Sequence, residues 1–190
     1  MSTVAVVYET NGKIARICHG PKEGVELTVL EDGRSSIYVD EFVDMENNYV
    51  ADNKVVAMPT KPGVNYTFNY DTKTWDYVLS EAKIEAWARI KQNKTLSEFD
   101  TFTWGGNEFQ CDESSQNKIR GAVMRALLDS TISITWTLAD NSAETFNATQ
   151  LREIGKALEE HVNDCHVKAQ GLRTQINAAT DQAQLDAVSW

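Results

Sequence analysis

The side chains best suited to chemistry in this 190-residue sequence crowd into one short segment, where His161, Cys165 and His166 fall within six residues. His161 and Cys165 are four apart, so a helix would place them on one face, as zinc can require. Cys165, however, belongs to an apolar stripe, and no second ligand pair stands at metal spacing. A Cys-His nucleophile would also need an orienting third group and an oxyanion hole. No GxSxG, P-loop or dinucleotide fingerprint accompanies these residues. Gly105-Gly106 lies inside a hairpin signal rather than before a helix, so a phosphate cradle is not expected there. Asp40, Glu41, Asp44 and Glu46 could attract calcium but lack the EF-hand order of ligands, which leaves a solvated acidic loop. Asp140-Asn141 falls where a hairpin needs turn residues. The residues predict no cofactor, no metal and no enzymatic activity. A small hydrolase or metal enzyme using Cys165 with His161 or His166 is the enzymatic alternative.

The element that must position these groups runs from Asn147 to Ala179. Leu151, Ile154, Leu158, Val162, Cys165, Ala169, Leu172 and Ile176 recur by threes and fours, which predicts one long helix. Asn147 can cap it, with Gln150 completing a capping box. Thr180-Asp181 can end it and cap a short last turn carrying Leu185, Val188 and Trp190. At roughly 30 residues it would be ~45 Å long, against ~11–12 residues for a usual helix. Its stripe needs a long partner, either the upstream elements or a second copy of the chain. Leu151, Ile154, Leu158, Val162, Cys165, Leu172 and Ile176 are therefore the candidate oligomer or partner interface. Gly155 and Gly171 are costly inside a helix and point to a close helix–helix approach or a bend.

The rest of the chain reads as α+β. Strands are expected at Val4–Tyr8 and Lys13–Cys18 around Asn11-Gly12, and at Val25–Leu30 and Ser36–Val39 around Asp32-Gly33. Further pairs are Tyr49–Ala51 with Lys54–Met58 around Asp52-Asn53, and Tyr66–Tyr70 with Thr74–Tyr77 around Asp71-Thr72-Lys73. Their aromatics Tyr66, Phe68, Tyr70, Trp75 and Tyr77 read as packing, with carbohydrate binding as a minor alternative. Helix signals begin at Ser80, an expected N-cap, with Ile84, Trp87, Ile90 and Lys91 on one face and a polar link over Asn93–Asp100. A hairpin Phe102–Trp104 and Glu108–Cys111 follows. Asp112 or Ser114 then caps a helix with Ile119, Ala122, Val123, Ala126 and Leu127 at helical spacing. A hairpin Ile132–Leu138 and Ala143–Phe146 leads into the long helix. The composition shift divides the chain into a small antiparallel β module over 1–78 and an α+β domain with two hairpins and the long helix over 79–190.

The charge balance of 18 basic and 28 acidic side chains gives −10. That sign disfavours nucleic acid and anionic membrane as partners, because phosphates need Lys and Arg. Three scattered cysteines without CxxC spacing predict reduced thiols. No apolar run reaches the ~20 residues a bilayer span needs, and the N-terminus lacks a signal-peptide pattern. These features predict synthesis in a cytoplasm.

From Trp87 to Trp190 the sequence resembles the domain of unknown function labelled DUF4376, found at the C-terminal end of phage and prophage tail proteins. The resemblance rests on an ordered series: Trp87 with Ile90-Lys91, then Phe102-Thr103-Trp104-Gly105-Gly106 with Phe109 and Asp112. Ser115-Gln116, Gly121-Ala122-Val123, Thr135–Asn141, Ile154-Gly155, His161-Val162, Cys165-His166 and Ile176–Ala179 continue it. The first part is similar in style, less specifically, to small modules of tail-fibre and tail-fibre-assembly proteins. What the resemblance implies is a structural tail protein, located in the virion, acting as a tail-fibre or tailspike adaptor or small fibre component. Its implied partners are tail fibre, tailspike, baseplate or tail tube proteins and further copies of itself. A fibre-assembly chaperone absent from the mature particle is the alternative. The family supplies no enzymatic motif.

Overall fold

The computed structural model describes residues 3–32 and 34–190. The fold is α+β, in two compact units, Met1–Val78 and Leu79–Trp190.

In the first unit β1 (Thr3–Tyr8) lies between β2 (Ile14–Gly20) and β3 (Ser35–Val39), antiparallel to both. Ala5, Val6 and Val7 are fully buried, because the sheet is covered on both faces. One face meets Val25 of helix α1 (Lys22–Asp32) together with Cys18, and the other meets Val43 and Val50. The expected strand at Val25–Leu30 is thus a helix. Its residues alternate like a strand, yet Val25 and Val29, four apart, both turn to the sheet while Leu27 faces out. The Pro21 carbonyl accepts the Val25 N–H, which opens the helix. The doubly buried β1 decides this, since it requires a cover on the face that α1 occupies. The expected Asp32-Gly33 turn includes Gly33, which lies outside the described residues.

Two hairpins complete the unit. Strands β4 (Asn48–Ala51) and β5 (Lys54–Ala57) turn through Asp52 and Asn53, both at positive φ, as a two-residue hairpin loop favours. Strands β6 (Tyr66–Asn69) and β7 (Thr74–Tyr77) pair Phe68 with Trp75. Gly12, at φ +82, lies where an added Cβ would run into the Val50 carbonyl, and its own carbonyl accepts the Val50 N–H. Only glycine fits that close approach.

The second unit is built on α4 (Ala148–Ala178). Asn147 Oδ1 accepts the N–H groups of Thr149 and Gln150, and Gln150 Oε1 accepts that of Asn147, a complete capping box. Helix α4 is unbroken through Gly171. Helix α2 (Leu79–Glu98) and helix α3 (Glu113–Leu128) both run antiparallel to it. Lys83 reaches the Asn177 carbonyl and His161 the Ser97 carbonyl, while Arg120 pairs with Glu159. Two hairpins, β8–β9 (Thr101–Trp104, Asn107–Gln110) and β10–β11 (Ser133–Thr137, Ala143–Asn147), pack their aromatics on the first half of α4. Asp112 caps α3, and Asp181 caps the short α5 (Gln182–Asp186).

Two details of α2 differ from expectation. Ser80 lies inside the helix, which starts at Leu79 and continues through the expected link to Glu98. The inward face is Ala82, Ala86 and Ile90, while Ile84 is 71% exposed. Alanines let α2 approach α4 closely, so the buried seam does not follow the largest apolar residues. The polar residues near the end of α2 are tied into the unit: Lys94 pairs with Glu98, and Ser97 Oγ accepts the Trp190 indole N–H at 2.7 Å.

Candidate functional site

The seven residues expected to form an interface are turned towards the chain's own elements. Leu151, Ile154 and Leu158 are buried with Phe109, Ile119, Ala122 and Phe146. Cys165 and Ile176 are buried further along α4, and Val162 and Leu172 are half-buried. Lengths explain the outcome. At 1.5 Å per residue α2 and α3 together offer roughly 54 Å of helix, against roughly 46 Å for α4. The stripe is covered without a second copy.

Two of the groups singled out for their chemistry, Cys165 and His161, have structural roles. Cys111 and Cys165 are buried, and burial pushes both thiols up from their ordinary value. That is the opposite of the activation a nucleophilic cysteine needs. A ring nitrogen of His161 lies 3.0 Å from the Ser97 carbonyl, and His166 is exposed. The buried Gln116 amide donates to the Cys111 carbonyl at 3.0 Å. In the acidic loop Asp44 accepts the Glu46 N–H at 2.9 Å and the Asn47 amide at 2.7 Å. The Asn47 side chain, first among the causes, holds the Asp44 carboxyl below its ordinary range. Among the described residues no group of three or more His, Cys, Asp or Glu could hold a metal ion. No described helix is long and apolar enough to cross a membrane.

A different surface is presented by α3. Its buried side carries Ile119, Ala122 and Ala126 against α4. Leu127, expected among them, is 62% exposed, and Met124 and Leu128 are 59% and 82% exposed. At about 100° per residue, Gly121, Met124 and Leu128 lie opposite Ile119 and Ala126. The sequence carried this signal: Gly121, Met124, Leu127 and Leu128 stand outside the i, i+3, i+7 row of Ile119, Ala122 and Ala126 that forms the core. Strands β10 and β11 pair only with each other among the described residues, leaving an outer edge on each.

The three glycines inside α3 and α4 differ sharply. A Cβ at Gly155 would stand well inside 3.0 Å of Val123 Cγ2, so the expected close approach is real at that crossing. A Cβ at Gly121 or Gly171 would meet nothing within 4 Å.

With this geometry in view, the chain belongs to the family of the domain of unknown function DUF4376, whose model matches residues 81–189. No curated protein and no solved structure matches it.

Proposed function

We propose, on the premise of that family membership, that the chain is a structural bacteriophage tail protein. It acts as a tail-fibre or tailspike adaptor, or a small fibre component, through protein–protein contact and self-association and without catalysis. The observation that carries the self-association is the outward row of α3, where Gly121, Met124, Leu127 and Leu128 are exposed among the described residues. Glycine in a helix costs about 1 kcal/mol relative to alanine, and Gly121, unlike Gly155, has no neighbour among the described residues to justify that cost. A helix from a second copy would supply one, with Met124 and Leu128 packing beside the close approach. The net charge of −10 makes other proteins better partners than nucleic acid or anionic membrane. The chain would be made in the host cytoplasm and located in the virion tail, against fibre, tailspike, baseplate or tube proteins.

Mass spectrometry of gradient-purified particles tests the assignment. The expected result is this chain at a small multiple of the tail symmetry; abundance in infected cells with absence from particles would replace it with an assembly chaperone. Light scattering on the purified chain tests the surface. Met124→Glu with Leu128→Glu should shift an oligomer to monomer with the helical signal unchanged, and an unaltered mass would remove α3 from the interface.

A further inference from the structure

The first unit carries a cleft beyond the residues that the family model matches. It encloses about 680 Å³, within the ~300–1,000 Å³ range of small-molecule sites. Its floor is aromatic. Buried Phe68 is the hub, with ring centroids 5.1 Å from Tyr70, 5.2 Å from Trp75 and 5.3 Å from Tyr49. Tyr70 and Trp75 are half-buried and line the cleft. Trp75 is fixed by its indole N–H, which donates to the Pro59 carbonyl at 2.8 Å.

The rim is polar. Asp44 holds the Asn47 amide nitrogen and the Glu46 N–H, while the Asn47 carbonyl accepts the Met58 N–H at 2.8 Å. Glu46 and Asn47 line the cleft, bringing a carboxylate and an amide to its edge. Thr60 and Thr67 add hydroxyls, and Lys61 holds its Nζ over the Trp75 ring, 5.6 Å from the centroid, a place from which the exposed lysine can move aside for a ligand.

We propose that this cleft binds a neutral saccharide, with a pyranose ring on the Trp75–Tyr70 floor and its hydroxyls on the Glu46–Asn47–Lys61 rim. A pyranose has C–H groups on its faces and hydroxyls around its edge. The C–H groups carry partial positive charge and suit the negative face of an aromatic ring. The hydroxyls both donate and accept, matching a rim with carboxylate, amide, hydroxyl and ammonium groups. One carboxylate against one ammonium leaves the lining neutral, and no arginine is present to select a phosphate or sulfate. The inference does not rest on the tail assignment, and particle composition and saccharide binding can fail separately.

Trp75 is the only one of the five tryptophans in residues 1–78, so an emission change that Trp75→Phe removes arises at the cleft. The full chain is titrated with maltohexaose and with tri-N-acetylchitotriose, by fluorescence and by calorimetry. The expected result is saturable binding of at least one, weakened about tenfold by Asn47→Ala or Lys61→Ala, both exposed positions whose substitution should leave circular dichroism unchanged. Trp75→Phe should abolish the emission change and weaken binding in calorimetry. The proposal is overturned if neither saccharide binds, if both rim variants bind as wild type, or if octaproline binds where the saccharides do not.

Discussion

The crossing of α3 and α4 makes a sharp quantitative test through two glycines on one helix. At Gly171 an added methyl meets nothing within 4 Å, so Gly171→Ala should show only the gain in helix propensity, about 0.5–1 kcal/mol. At Gly155 the same methyl would collide with Val123 Cγ2 while standing 3.6 Å from Val123 Cβ and 3.7 Å from Cγ1. Valine in a helix has essentially one χ1 rotamer, so relief requires an unfavourable rotamer or a shift of α3. Overpacking of this kind costs about 1–3 kcal/mol. Against a propensity gain of about 1 kcal/mol, Gly155→Ala should be destabilising by between about zero and 2 kcal/mol. The two variants should thus differ by about 1–3 kcal/mol, read from urea unfolding followed at 222 nm. Val123→Ala removes the colliding methyls and should be better tolerated beside Ala at 155 than in the wild type, with a coupling of about 0.5–3 kcal/mol. Equal stabilisation by Gly155→Ala and Gly171→Ala, or strict additivity with Val123→Ala, would refute the close crossing.

Three further outcomes follow from the caps and thiols. Asn147→Ala should lower stability by about 1 kcal/mol, seen as a lower urea midpoint at unchanged slope; an unchanged midpoint would count against the capping box. The Ser115 hydroxyl, then the Ser115 N–H, holds the Asp112 carboxyl below its ordinary 3.8. A depressed folded value means the stabilisation is complete above about pH 4 and is lost as pH falls through the folded value. Asp112→Asn keeps a capping oxygen and should soften that acid limb, whereas an acid limb as steep as wild type would show that Asp112 does not contribute to it. Cys111 and Cys165, buried and raised, should react slowly with iodoacetamide at neutral pH and quickly in urea; fast native labelling of either would contradict their burial.

Much of the fold is local and therefore legible. The Asn147–Gln150 capping box, the 3–4 spacing along α4, the Asp112 cap and the turns at Asn11-Gly12, Asp52-Asn53 and Gly105-Gly106 each depend on a few adjacent residues and their backbone preferences. The same holds for the α+β class, which follows from the periods of successive segments. Where local preference was ambiguous, tertiary packing decided. Val25–Leu30 has β-branched alternation, yet the bare face of β1 takes it as a helix. The inward side of α2 follows its alanines because only they let it lie close to α4, leaving Ile84 in solvent.

The candidate surface shows the same division. The sequence by itself determines that α4 must bury a stripe about 40 Å long, because apolar side chains at that spacing are unstable in water. It cannot specify what covers the stripe, since a second copy and the upstream helices satisfy the same pattern. Tertiary packing alone places α2 and α3 end to end along it, through contacts 64 and 94 residues apart, His161 with Ser97 and Lys83 with Asn177. Once they do, α3 is left with an exposed apolar face. Which face of α3 is left outward is set by packing between segments, and packing between segments has no period that a sequence displays.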